Sequence, residues 1–142
     1  ITKMKNFGKF SNNYSYNIFI VDDDPDDHAF LNSAIKEIVP NALIKSFFDG
    51  SEVLEYLFEN CRFPDLIFLD VNMGKLGGKE TLTIIKHNTP LCAFPIVMLT
   101  SNSCQIEKEV VMGLGAKDYY TKPRCYIELV KIVEEVKNKF LC

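Results

Sequence analysis

The chain predicts an α/β domain built on a doubly wound, five-stranded parallel sheet with five helices. Three observations predict it. From Ile18 onward, short apolar runs alternate with amphipathic stretches. Three of the runs, Ile18-Phe-Ile-Val21, Leu66-Ile-Phe-Leu69 and Ile96-Val-Met-Leu99, are apolar at every position, as strands buried on both faces of a parallel sheet require. Turn and cap residues then separate the runs from stripes of helical period, the βα alternation of an open sheet with helices on both faces. At 142 residues the chain has the length of one ordinary domain, with room for a real core.

Ile1 to Asn17 stands apart from this pattern. It carries Lys3, Lys5 and Lys9 without an acid, is rich in Asn, and shows no sustained periodicity, so residues 1–17 are expected to form a flexible tail and 18–142 the domain. The chain opens on Ile1, with Met4 as a candidate native start. The first strand is predicted at Ile18–Val21. Asp24 before Pro25 reads as an N-cap followed by proline at the first helical position. The pairs Phe30/Leu31, Ala34/Ile35 and Ile38/Val39 continue that helix at three-to-four spacing until Pro40-Asn41 stops it. Leu43–Phe47 is the second strand, and Asp49-Gly50 turns the chain into the second helix. Leu66–Leu69, Ile96–Leu99 and Asp118–Thr121 supply the remaining strands, and Leu129/Val130, Val133, Val136 and Phe140 stripe the last helix. There is no internal repeat and no low-complexity segment.

Composition narrows the function. Hydrophobic residues at 47% and charged residues at 25% are ordinary for a soluble globular protein. A net charge of −3 argues against a nucleic-acid partner, whose phosphates demand a clustered basic face. No apolar stretch approaches the roughly 20 residues of a membrane span, and the N-terminus lacks the apolar region of a signal peptide, so no membrane association is expected. The five cysteines (Cys61, Cys92, Cys104, Cys125, Cys142) are scattered, odd in number and without a CxxC pair. They are read as small buried thiols in a reducing cytoplasm, with neither a disulfide framework nor a zinc site.

In such sheets the ligand site lies beyond the carboxyl ends of the strands. Asp22, Asp23 and Asp24 follow the first run, Asp70 then Val71-Asn72 the third, Thr100-Ser101 the fourth, and Lys122-Pro123 the fifth. Each has a plain alternative: turn and cap residues for the first three acids, a β-branched strand end for Thr100, a solvated amine for Lys122. Together they bring acids, a hydroxyl and an amine to one rim. Two or three carboxylates within about 4–5 Å repel by several kcal/mol at an intermediate dielectric, so they protonate, splay or hold a cation. An all-oxygen donor set selects Mg²⁺, Mn²⁺ or Ca²⁺ over thiophilic metals. An aspartate carboxylate beside such a cation is a nucleophile toward phosphorus, with an amine and a hydroxyl to neutralise the spread charge.

Four segments, Ile20-Val-Asp-Asp-Asp-Pro-Asp-Asp27, Asp65-Leu-Ile-Phe-Leu-Asp-Val-Asn-Met73, Pro95-Ile-Val-Met-Leu-Thr-Ser101 and Gly115-Ala-Lys-Asp-Tyr-Tyr-Thr-Lys-Pro123, resemble in this order the receiver (response regulator) family of two-component signalling, over Ile18 to Phe140. The resemblance implies a flavodoxin-like sheet of strand order 2-1-3-4-5. It implies that Asp70 is the phosphoacceptor, and that Asp23, Asp70 and the Asn72 carbonyl bind Mg²⁺ (Mn²⁺ as the alternative), with Asp22 acting largely through water. It makes Thr100 the switch hydroxyl, Lys122 the phosphoryl-pairing amine, and Tyr119 the aromatic that reorients. A partly buried edge-strand role for Tyr119, and Tyr120 in its place, remain alternatives. Asn72 and Asn102 fall where the family positions or shields water. The segment Met73-Gly-Lys-Leu-Gly-Gly78 departs from the family's Met-Pro-x-x-Asp-Gly, with Gly74 for the proline and Gly77 for the acid, so a looser loop is expected.

The resemblance further implies a histidine kinase or histidine phosphotransfer protein as donor, and a face of helix four, strand five and helix five that phosphorylation reshapes. With no residues left after the last helix for an output domain, a stand-alone switch acting on another protein is expected, with no catalytic turnover beyond slow self-dephosphorylation. Two rivals share parts of the pattern. A haloacid-dehalogenase-type phosphatase also uses Asp, Thr, Lys and acidic Mg²⁺ ligands, but places its nucleophile on an N-terminal strand before Asp-x-Thr. A flavodoxin-like flavin carrier needs a phosphate-cradling loop where Asp22-Asp-Asp would repel.

Overall fold

The computed structural model describes residues 15–60, 62–88, 93–102 and 104–141. Within them, β1 (Asn17–Val21), α1 (Pro25–Ile38), β2 (Leu43–Phe47), α2 (Gly50–Glu59), β3 (Leu66–Asp70), α3 (Gly78–Lys86), β4 (Ile96–Thr100), α4 (Gln105–Gly113), β5 (Asp118–Thr121) and α5 (Tyr126–Phe140) alternate strictly. All neighbouring strands are parallel, in the order β2-β1-β3-β4-β5. The doubly wound sheet and its order are as expected. β3 and β4 are buried at every position, which is why their sequences need no polar alternation.

Successive strand residues point to opposite faces and meet different helices. Phe19, Ile67, Leu69 and Met98 pack with Val53, Leu82 and Ile85 of α2 and α3. Ile20, Phe68, Val97 and Leu99 pack with Ile35 of α1 and Val133 of α5. The predicted cap of the first helix forms. Asp24 is the N-cap of α1, its carboxylate accepting from the Asp26 N–H at 2.9 Å, with Pro25 opening the helix. Asp49 caps α2 by accepting from Ser51 and Glu52 N–H.

Four expectations are corrected. Asn17 belongs to β1: its N–H reaches the Asp65 carboxylate at 2.7 Å and its carbonyl accepts from the Asp65 N–H. Residues 1–14 of the predicted tail lie outside the described residues. The third and fourth strands each run one residue beyond their apolar runs, to Asp70 and Thr100, because the ladder with the neighbouring strand continues through those polar positions. Phe30, counted into the apolar stripe of the first helix, is 58% exposed. Cys104 and Cys125 are exposed thiols, not buried ones: they stand at the N-caps of α4 and α5, where the Cys104 sulfur accepts from the Glu107 N–H. Cys61, Cys92 and Cys142 lie outside the described residues. No described helix is long and apolar enough to cross a membrane.

Candidate functional site

Register alone brings the four strand ends to one rim. Val21 pairs with Leu69, Asp70 with Leu99, and Thr100 with Thr121. The ladder runs one step past the strands: Asp22 N–H bonds to the Phe47 carbonyl (3.1 Å), Val71 N–H to Leu99 (3.0 Å) and Lys122 N–H to Thr100 (2.7 Å). Residues next to the apolar runs thus inherit the sheet's rigidity.

Asp22 and Asp70 are buried, Asp23 is exposed, and one carboxylate oxygen from each lies within 4.8 Å of the others. At that separation two ionised carboxylates repel by about 3 kcal/mol at an effective dielectric near 20. The molecule answers with Lys122, whose Nζ lies 2.7 Å from Asp27, 2.8 Å from Asp22 and 3.4 Å from Asp70. Burial, then the Asp22 charge, push the Asp70 carboxyl up to about 6, while Lys122 and the Asn72 backbone N–H pull it back. Burial likewise raises Asp22 against the pull of Lys122. Burial alone would lower Lys122, but its bonds to Asp22 and Asp27 hold it above the usual amine range. Three converging oxygen donors with uncompensated charge suit a hard divalent cation.

Thr100 is buried, and its hydroxyl makes one long bond of 3.4 Å to the Asn102 carbonyl, so little holds it in place. Tyr119 faces the start of α4. Its hydroxyl donates to Glu107 at 2.5 Å and accepts from the Cys104 N–H, tying β5 to the start of α4. Tyr120 faces the other way, to Asp118 and Glu135. Burial, then Glu107, push the Tyr119 phenol up to about 12.

Two residues were not singled out from the sequence. Asp27 is the nearest partner of Lys122, 95 positions away in the chain. His28 is buried behind the site, with Nε2 2.7 Å from the Asp22 carbonyl and 3.1 Å from that of Phe47. Both partners are acceptors, so Nε2 carries the proton, and the buried Nδ1 has no partner among the described residues. The imidazole pins the ends of β1 and β2 together beneath Asp22.

The glycine departures also have consequences. Gly77 is the N-cap of α3 and has no side chain with which to satisfy a helix N–H. Gly78 has no such latitude: a Cβ there would stand 2.1 Å from the Asp70 carbonyl oxygen. Gly78→Ala is expected to destabilise the fold by about 2–4 kcal/mol, read by urea unfolding, because the obstacle is backbone. A neutral result would mean that the α3 start yields freely.

The "Response regulator receiver domain" family model matches residues 18–134. The "Response regulator Rcp1" of Synechocystis is 29% identical over 129 residues, covering 87% of this chain and 88% of that protein. "Transcriptional regulatory protein CpxR" of Escherichia coli K12 is 32% identical over 128 residues, 86% of this chain and 49% of CpxR. A "Probable cyclic di-GMP phosphodiesterase" of Vibrio cholerae is 36% identical over 107 residues, 75% of this chain and 23% of that protein. The chain thus spans half or less of those last two. Among solved structures, the phosphorylated cyanobacterial phytochrome response regulator RcpA superposes with a TM-score of 0.82 at 28% identity, over 90% of this chain and 95% of that one. The Mn²⁺-bound form of Rcp1 does so with 0.77 at 28%, over 87% and 92%. With its sheet order, acidic triad and apposed lysine already in place, this chain belongs to the response regulator receiver domain family.

Proposed function

We propose that the domain is a phosphorylation switch in which Asp70 accepts a phosphoryl group from a histidine kinase or histidine phosphotransfer protein. The observation that carries this is the Asp22, Asp23 and Asp70 cluster within 4.8 Å, with the Lys122 ammonium 3.4 Å from Asp70. The phosphorylated state of RcpA and the Mn²⁺ in Rcp1 support it, each at 28% identity. Asp23, Asp70 and the Asn72 carbonyl would hold Mg²⁺, with Asp22 acting mainly through water, and the cation would supply charge against the transferring phosphoryl oxygens.

The chain's own residues do the rest. With its carboxyl near 6, Asp70 is mostly ionised at neutral pH, and an ionised oxygen is the nucleophile. The new P–O bond forms as the donor's P–N bond breaks and its electron pair returns to the donor imidazole. Lys122 keeps its proton and offers N–H bonds to the transferred group, and Thr100 turns its loosely held hydroxyl toward it. Thr100 ends β4 and Lys122 directly follows the adjoining β5, so their closure moves the β4–α4 loop and the Tyr119–Glu107 tie with it. Phosphorylation biases two packings of the face made by α4, β5 and α5. That face carries Ile106 at 74% and Val110 at 43% exposure one turn apart, apolar surface suited to a protein target. Asn72 and Asn102, both exposed beside the site, leave water access for slow self-dephosphorylation in the cytoplasm.

Beryllofluoride, a phosphoryl mimic, tests this reading. Added with Mg²⁺, it is expected to shift the amide NMR signals of Asp70, Thr100 and Lys122 and, further off, those of α4. A spectrum indifferent to the pair would defeat the proposal.

A further inference from the structure

Lys122 is not poised on the phosphoacceptor. Its ammonium has three hydrogens and three carboxylate partners, and the shortest contact, 2.7 Å, goes to Asp27; Asp70 lies at 3.4 Å, beyond a good charge-assisted bond. Asp27 stands in the first turn of α1, outside the trio whose oxygens converge for a cation, and its side chain is 35% exposed where those of Asp22 and Asp70 are 5%. A cation in the trio would occupy oxygens of Asp23 and Asp70 and offset the charge of Asp22. Asp27 would then be the one partner of Lys122 left with its charge free to compete with a phosphoryl group.

Resting on the phosphoacceptor reading above, we propose that Asp27 is a positioning residue that holds Lys122 on the α1 side of the site and makes the phosphoryl group compete for the amine. Asp27 thereby sets how tightly the phosphorylated state is clasped. Its hold on the phosphoryl group runs through Lys122, while its charge also bears on the neighbouring Asp22 of the cation cluster.

The test is Asp27→Asn in the full chain, titrated by NMR or intrinsic fluorescence, first with Mg²⁺ alone and then with beryllofluoride at saturating Mg²⁺. Beryllofluoride is expected to bind about three- to tenfold more tightly, the scale of one partly exposed ion pair released. Mg²⁺ alone is expected to bind up to about threefold more weakly, because one negative charge is gone and Lys122 leans further onto Asp22 and Asp70. These opposite signs separate the proposal from structural damage, which would weaken both. Asp26→Asn, the same charge change on the neighbouring exposed acid, is the control for net charge and is expected to leave beryllofluoride affinity within twofold of wild type. Unchanged or weaker beryllofluoride binding in Asp27→Asn, or an equal gain in Asp26→Asn, overturns the proposal. Wild-type protein that ignores beryllofluoride would instead overturn the phosphoacceptor reading.

Discussion

Asp70→Asn is expected to reduce phosphate incorporation from acetyl phosphate or a cognate kinase by more than about a hundredfold, while the protein stays folded. The amide keeps the shape of the carboxylate and its place at the end of β3, but its oxygen is too weak a nucleophile to displace a phosphoryl leaving group. No other carboxylate among the described residues has the same setting. Asp22 shares the burial, but Lys122 stands 2.8 Å from it against 3.4 Å from Asp70, and its other oxygen accepts from the Asp24 N–H. Asp23 is exposed and Asp27 is paired with Lys122. The measurement is hydroxylamine-sensitive labelling followed over time, since an acyl phosphate is cleaved by hydroxylamine and a phosphoserine is not. Labelling of Asp70→Asn at the wild-type rate would move the acceptor to another residue, and the roles of Thr100 and Lys122 would fall with it.

The sheet was legible because burial on two faces leaves its mark on every residue of a strand. Ile18–Val21, Leu66–Leu69 and Ile96–Leu99 could hardly be anything else, and the polar residues beside them had to lie on the rim. The choice between Tyr119 and Tyr120 was less legible, because both are aromatics on an edge strand with one face toward each helical layer. In the structure Tyr119 reaches Glu107 of α4 and Tyr120 reaches Glu135 of α5, so the two rings face different helices. Asp27 left no usable mark in one dimension: an acid in the first turn of a helix is what the helix dipole favours anyway, and its distance from Lys122 appears only once the sheet is closed. Cys104 and Cys125 misled because the tendency of cysteine to be buried is an average, whereas these two sit where the strands have ended and the next helix begins.

The carboxylate proposed as phosphoacceptor should also weaken the metal-free fold. Asp70 stands at about 6 in the folded protein against 3.8 for the free side chain, so between those values the native state holds a proton that the unfolded chain has released. Stability then falls as pH rises through this window and levels off above about 7. Burial raises Asp22 in the same direction, whereas Asp118, held down by Lys139 despite its burial, gains stability at the acidic edge of the range; wild-type curves alone therefore mix signs. The difference between wild type and Asp70→Asn removes the shared terms. Without divalent cations the variant is expected to be more stable by about 1–3 kcal/mol at pH 7, with the gap closing toward pH 4 as Asp70 becomes neutral. Saturating Mg²⁺ is expected to invert the order, since ligand at a hundred times its dissociation constant stabilises the folded wild type by about 2.7 kcal/mol while the variant has lost a donor. Urea melts at several pH values, with and without Mg²⁺, read both effects. A variant less stable than wild type at pH 7 without metal, or a gap that ignores pH, would show that Lys122 already neutralises the cluster, leaving no electrostatic strain for a cation to relieve.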